Sequence, residues 1–321
     1  MTRAAFIVDS GPSVGLGHLT RSLVVIKALE RQGVECRLYC ADPAAADVLG
    51  RSAAAMPQSL SEFAPADFIL CDSYRLSEAD LRALRDRCRL LAALDDTGDR
   101  PLPVDVVINH NLYAPNLDYG RVTPGKVLAG PDYALVDERI MEAAQHHAAQ
   151  PPENAIVVGF GGTDDGRIAA SVAEALLSRT EARIDIIIAG GRQPASRLMQ
   201  ASDANPGRIV VHHGPDVPAL LARARLYLGS AGMMSFEAFA IGLELVVVPI
   251  ADNQRPGANA LVGFGHDMVT TLEPEILAEV AARRLKQPRA TKPAPIDGKG
   301  GDRIAVALLR ELETKPGLPS R

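Results

Sequence analysis

Short apolar runs alternate with amphipathic stretches of helical period along almost the whole chain, and the plan is written twice. Residues 4–8, 35–39, 68–71, 90–94 and 104–108 read as strands; residues 19–31, 44–51 and 77–87 read as helices, the last with Ser77 as N-cap. The pattern restarts with strands at 155–159, 184–189, 209–212, 226–229 and 245–249, separated by helices at 167–179, 217–223 and 233–240. Apolar runs this short cannot be buried helices. Strands separated by helices predict parallel sheets covered on both faces. Two such halves in 321 residues predict an α/β protein of two doubly wound, Rossmann-like domains facing a central cleft, with the ligand at the carboxyl ends of the strands. The stretch 142–154 reads as a helix ending in Pro151-Pro152 and is the expected linker, giving domains at 1–148 and 149–285. Residues 286–301 read as a loop and 302–312 as a closing helix, followed by a tail.

The totals narrow the partners. The chain is 47% hydrophobic and 23% charged, with a formal net charge of −5 and a pI near 5.8. With no Lys/Arg run, that balance argues against a nucleic-acid partner. No apolar stretch approaches the roughly 20 residues that cross a bilayer, so no membrane partner is expected. A single Arg before a strand-like run reads as no signal peptide, which implies the cytoplasm. The four cysteines (Cys36, Cys40, Cys71, Cys88) show no C-x-x-C spacing and read as buried free thiols. His146-His147 and His212-His213 lack a carboxylate or Cys at metal-ligand spacing, so no metal is expected.

The most chemically pointed segment runs from Asp9 to Arg21, DSGPSVGLGHLTR. It joins a strand to a helix through a glycine-rich turn and sets His18 at the helix entrance. The first N–H groups of a helix have no partners and its dipole favours an anion there, while glycines admit a ligand close to the backbone. Gly15 and Gly17 would make that room. The third glycine of a dinucleotide fingerprint is missing, since Thr20 holds its place. His18 has two readings: it caps the helix, or it is a general base, kept neutral by the dipole next to a phosphate-linked carbon.

A second constellation lies between Leu226 and Gln254. A strand ends at Gly229-Ser230-Ala231-Gly232 and a helix begins that carries Ser235 and Glu237. Small residues at that entrance suit a diphosphate on free N–H groups, with Ser230 and Gly232 in the turn. Glu237 either accepts from a ribose diol or is an ordinary surface glutamate. The loop Asp252-Asn253-Gln254 sends amide side chains toward the same edge. Asp72 is expected to cap the turn after its strand, and Tyr74 to reach a sugar. Asp95-Asp96 and Asn109-His110-Asn111 follow strands on the same edge and read, singly, as structural.

Taken in order, these segments resemble the PseG/SpsG family of UDP-sugar hydrolases, relatives of the MurG glycosyltransferases. The likeness runs from Asp9 to about Ala260 and is carried by D-S-x(4)-G-x-G-H-x-x-R, C-D-S-Y (Cys71 to Tyr74), L-D-D (Leu94 to Asp96), L-A-G-P-D-Y-A-L, G-F-G-G-T-D (Gly159 to Asp164), the helix bearing Glu237, and P-I-A-D-N-Q (Pro249 to Gln254). The resemblance implies a GT-B-type fold, a UDP-sugar as the small-molecule partner and no cofactor. It implies hydrolysis of UDP-2,4-diacetamido-2,4,6-trideoxy-β-L-altropyranose with anomeric inversion, in pseudaminic-acid biosynthesis. On the matching positions, His18 would activate water, Tyr74 and Asn253 would line the sugar with Gln254 beside them, Glu237 would hold the ribose, and Ser230 and Gly232 the diphosphate. Two departures stand out. Ile7 replaces the Arg of the family's Arg-x-Asp, and Met233-Met234 replaces a Ser-Thr pair. Two rivals follow from the same residues: a glycosyltransferase using a UDP-sugar donor, and a non-catalytic nucleotide-sugar binding protein.

Overall fold

The computed structural model describes residues 1–317 other than 12, 13, 15, 162, 163 and 189–192. It divides into two units. The first comprises Met1–Val136 and Ile296–Arg321, the second Asp137–Pro295.

The first unit holds β1 (Arg3–Val8), α1 (Gly17–Arg31), β2 (Glu35–Cys40), α2 (Pro43–Asp47), β3 (Ala54–Ala55), β4 (Ala66–Asp72), α3 (Glu78–Arg85), β5 (Cys88–Leu94), β6 (Val106–Asn109) and β7 (Lys126–Ala129). Its sheet has seven parallel strands in the order β3-β2-β1-β4-β5-β6-β7. Alternate residues of each strand feed opposite cores. Phe6, Phe68, Leu70, Leu90 and Ile108 pack toward α1, while Ile7, Ile69, Leu91 and Val107 pack toward α3. Each such fully buried aliphatic contributes roughly 1.5–3 kcal/mol. Ser77 caps α3 through a capping box closed with Asp80. The chain leaves β1 toward β2 and returns to place β4 on the other side, so β1 and β4 flank a topological switch point.

The second unit holds α4 (Glu138–Ala149), β8 (Ala155–Gly159), α5 (Arg167–Leu177), β9 (Arg183–Ile188), α6 (Ser196–Ala204), β10 (Ile209–His213), α7 (Val217–Arg223), β11 (Leu226–Ser230), α8 (Met233–Ile241), β12 (Glu244–Val248), α9 (Arg255–Gly263), β13 (Asp267–Met268) and α10 (Pro274–Lys286). Its six parallel strands run β10-β9-β8-β11-β12-β13, with the switch point between β8 and β11.

The division falls at Val136 and Asp137, ahead of the Pro151-Pro152 pair expected to separate the domains. The reason is local: α4 starts on the N-cap of Asp137, packs on α7 and α8, and is pinned where His147 Nδ1 meets the Ala222 carbonyl at 2.8 Å. The end of the chain belongs to the first unit. There α11 (Gly300–Glu313) lays Ile304, Leu308 and Leu312 against the core on the α1 side. A Cβ at Gly301 would stand 2.9 Å from Val24 Cγ1, so glycine permits the close crossing of α1 and α11. No helix among the described residues is long and apolar enough to cross a membrane.

Candidate functional site

Four strands of the first unit end in polar residues at one sheet edge. Asp9 follows β1, Asp72 ends β4, Asp95 and Asp96 follow β5, and Asn109 ends β6 with His110 after it; all six are buried. Helix α1 brings His18 and Arg21 to the same edge, one turn apart on one helix face.

A buried carboxylate needs partners, and Asp72 has several. Its Oδ1 lies 2.6 Å from His18 Nδ1 and 2.6 Å from Arg21 Nη2; its Oδ2 accepts from Arg21 Nε at 2.7 Å and Ser22 Oγ at 3.2 Å. Asp72 is therefore no turn cap: it orients a histidine and receives a forked guanidinium. Arg21 Nη1 reaches both oxygens of Asp96 at 2.8 Å. Asp96 also accepts from Asn111 Nδ2 at 2.7 Å and, by a short bond, from the Tyr74 hydroxyl. The Tyr74 ring stands edge-on to His18, with centroids 5.1 Å apart. Asp9 braces the turn, accepting from Ser73 Oγ at 2.7 Å and the Tyr74 backbone N–H at 2.9 Å.

These contacts assign the tautomer of His18. Nδ1 faces a carboxylate oxygen at 2.6 Å on one side and Arg21 Nη2 at 3.2 Å on the other. Two lone pairs cannot face one another, so the proton sits on Nδ1 and is donated to Asp72. The ring's basic lone pair is then on Nε2. This is the arrangement of a general base with its orienting carboxylate. Burial pushes the Asp72 carboxyl up, but Arg21 and His18 outweigh it and hold it below the ordinary carboxylate range. Asp96 follows the same balance, with Arg21 the strongest lowering influence. Burial, and then the Arg21 cation, push His110 down to about 4, so that ring is neutral.

In the second unit, the carboxyl ends of β8 and β11 approach each other closely. A Cβ on Gly229 would fall 1.9 Å from the Gly159 carbonyl oxygen, so only glycine fits. The buried Tyr227 hydroxyl shares its proton between the carbonyls of Gly159 at 2.9 Å and Ser230 at 3.1 Å, stapling the strand ends together. Gly232 is the N-cap of α8, with no side-chain cap and no acidic residue in the first turn, which leaves that end suited to an anion. Ser235 Oγ donates to the Gly232 carbonyl at 2.7 Å and so is used within the helix. Gln254 is fixed beside this turn: its Oε1 accepts from the Ile250 N–H at 3.1 Å, and its Nε2 is 3.7 Å from where a Cβ on Gly232 would be.

The sequence-derived candidates thus fall into two groups. His18, Gly17 and Tyr74 belong to the first unit, at one strand edge; Ser230, Gly232 and Gln254 gather at the entrance of α8. Asn253 is exposed on the short 3₁₀ turn before α9. Glu237 is half-buried a turn inside α8, where burial and the nearby Asp137 push its carboxyl up to about 7. Gly15, Gly162 and Thr163 lie outside the described residues. Both departures from the family pattern have structural uses. Ile7 is a core residue on the α3 side, and the Met234 sulfur packs under Gly159, 2.8 Å from where a Cβ would project. Asp96 and Asn111, which read singly as structural strand-end residues, and Arg21, which stands in the opening motif without a role of its own, join His18 in one network; a His and an Arg at i and i+3 together with strand-end aspartates were the available signal.

Two doubly wound parallel sheets in tandem, each with a polar edge at its switch point, have known counterparts. MurG of Acinetobacter baumannii matches with a TM-score of 0.62 at 14% identity, over 97% of this chain and 100% of that one. MnaA of S. aureus, solved with UDP, matches with a TM-score of 0.62 at 14% identity over 99% of each chain. The fold is that of the GT-B enzymes. In sequence, the UDP-2,4-diacetamido-2,4,6-trideoxy-β-L-altropyranose hydrolase of Campylobacter jejuni is 22% identical over 275 residues, which is 83% of this chain and 98% of that protein. No protein-family profile matches the chain.

Proposed function

We propose that this protein hydrolyses a UDP-linked amino sugar to UDP and free sugar, inverting the anomeric carbon. The observation that carries the reading is His18 Nδ1 held at 2.6 Å by Oδ1 of the buried Asp72, which leaves Nε2 as a base at a sheet edge. In the proposed step His18 Nε2 takes a proton from water as the water oxygen bonds to the anomeric carbon. The bond from that carbon to the diphosphate oxygen breaks, and UDP carries away the electron pair. Asp72 holds the ring and offsets the imidazolium charge that forms. The Campylobacter relative supports UDP-2,4-diacetamido-2,4,6-trideoxy-β-L-altropyranose, or a close relative of it, as the substrate, and a place in nonulosonate biosynthesis of the pseudaminic-acid type.

Ser230 and Gly232 are the proposed diphosphate contacts and Glu237 the ribose contact. Tyr74, Asn253 and Gln254, with Gly15 and Gly17, are the proposed sugar contacts. The uncapped N-terminus of α8 supports the first assignment. Proton NMR of the protein incubated with a panel of UDP-sugars tests the reading: free sugar should appear first as the inverted anomer. UDP release only when an acceptor alcohol is added would favour a transferase, the second reading, which the MurG-like fold supports.

A further inference from the structure

Asp96 touches His18 nowhere in the hydrogen-bonding pattern, yet two separate routes lead from it to that ring. One runs through Arg21, whose Nη1 is fixed by both Asp96 oxygens at 2.8 Å while its Nε and Nη2 grip Asp72, the partner of His18 Nδ1. The other runs through Tyr74, whose hydroxyl donates to Asp96 and whose ring stands edge-on to the imidazole at 5.1 Å. Asp96 is itself over-determined. Asn111 Nδ2 donates to its Oδ1 at 2.7 Å, and the Tyr113 hydroxyl donates to its backbone carbonyl at 3.0 Å. It is a fixed post from which both arms hang.

We propose that Asp96 is a positioning residue for His18, setting the imidazole through Arg21–Asp72 on one side and through the Tyr74 ring on the other, and supplying the negative charge that a protonated His18 needs. The charge tally supports the last point. Within the set joined directly through Arg21, Arg21 (+1), Asp72 (−1) and Asp96 (−1) sum to −1, and a proton on His18 brings that set to zero; Asp9 and Asp95 are buried on the same edge but bond to other groups. The groups facing His18 are Asp72 at the end of β4, Arg21 on α1, Tyr74 after β4 and, behind them, Asp96 after β5 and His110 after β6. Without Asp96, Arg21 and Asp72 cancel within that set, and the imidazolium loses the carboxylate that balanced it there. The inference rests on the reading of His18 as the base, but its geometry can be tested apart from turnover.

The test uses the full chain with ¹⁵N-labelled histidine and the variants Asp96→Asn, Tyr74→Phe and the double variant. In the unaltered protein the His18 Nδ1–H should give a sharp low-field proton signal. Asp96→Asn should broaden or shift that signal although Asp72 is intact, and Tyr74→Phe should do so less. With a hydrolysed UDP-sugar, Asp96→Asn should lower kcat about 10- to 100-fold with KM little changed. On the His18 signal, where Tyr74 acts through Asp96, the Tyr74→Phe effect should shrink in the Asp96→Asn background rather than add to it. An unchanged low-field signal in Asp96→Asn, or fully additive effects on that signal, overturns the proposal. If Asp96→Asn does not fold, an unchanged signal in Tyr74→Phe does the same. If the unaltered protein turns over no UDP-sugar, the functional reading fails, and the NMR signal alone decides the positioning role.

Discussion

His18 Nδ1 lies 2.6 Å from Asp72 Oδ1, and both side chains are sheltered from solvent. A histidine held this way has one tautomer, and the nitrogen left for chemistry is chosen by the carboxylate. Asp72→Asn keeps the shape but replaces an obligate acceptor with an amide that can offer its NH₂ group to the ring. The tautomer then inverts and Nε2 carries the proton. The expected loss in kcat is on the order of 10³- to 10⁴-fold, and His18→Ala should cost about 10²- to 10⁴-fold. UDP affinity, measured by calorimetry, should survive both changes. A His18→Ala protein with full turnover would remove His18 from the reaction.

Arg21 is buried between two carboxylates, and truncating it strands both. Arg21→Met should destabilise the protein by about 3–5 kcal/mol at neutral pH, since an uncompensated buried charge costs more than the pair contributed. The loss should shrink in acid, because protonating Asp72 and Asp96 removes the charges left unpaired. Urea unfolding at two pH values checks both parts. A variant within about 1 kcal/mol of the parent would mean the cluster relaxes to admit water.

His110 predicts a specific acid sensitivity. Burial and Arg21 push it down from 6.5 to about 4 in the folded protein. Between those values the unfolded chain binds a proton that the native state refuses, so stability falls as pH falls. The shift corresponds to roughly 3 kcal/mol. His110→Gln should flatten the stability–pH curve over that window by about this amount. His266 in the second unit, also held at about 4 by burial and Arg284, should keep contributing its own slope. An unchanged curve in His110→Gln would show that the ring takes up its proton without unfolding.

The sequence made the sheet plan legible because nearly every central strand is a compact apolar run flanked by turn residues. Lys126–Ala129 escaped because an edge strand with exposed Lys126 and Val127 has no such run. The helix Pro274–Lys286 carried a readable amphipathic pattern that the strand–helix alternation did not call for. At the site, His18 was conspicuous beside its glycines. Asp72 was misjudged because its partners, Arg21 and His18, are 51 and 54 residues away along the chain, and a strand-end aspartate with no visible cation nearby looks like a cap. Strand order decides that meeting, and strand order is a tertiary fact.

Glu237 offers the sharpest test of the nucleotide side. Its carboxyl is pushed up to about 7 by burial, with Asp137 adding to the shift. A ribose diol donates hydrogen bonds, so it favours the ionised carboxylate, and a proton on Glu237 competes with the ligand. Affinity should therefore be full above about 7 and decline as pH falls below it, being about tenfold weaker at ~pH 6 than at ~pH 8. UDP-N-acetylglucosamine is a suitable probe, because its diphosphate takes up no proton near neutrality. Calorimetry in buffers of different ionisation enthalpy should also register proton release on binding near neutral pH. Glu237→Gln should weaken binding at ~pH 8 by roughly 10-fold or more, as loss of a charged hydrogen-bond acceptor does, and should abolish the pH dependence. Equal affinity of Glu237→Gln and the parent at ~pH 8 would remove Glu237 from the ribose contact. A lost pH dependence with unchanged affinity there would leave it only an electrostatic neighbour of the ligand.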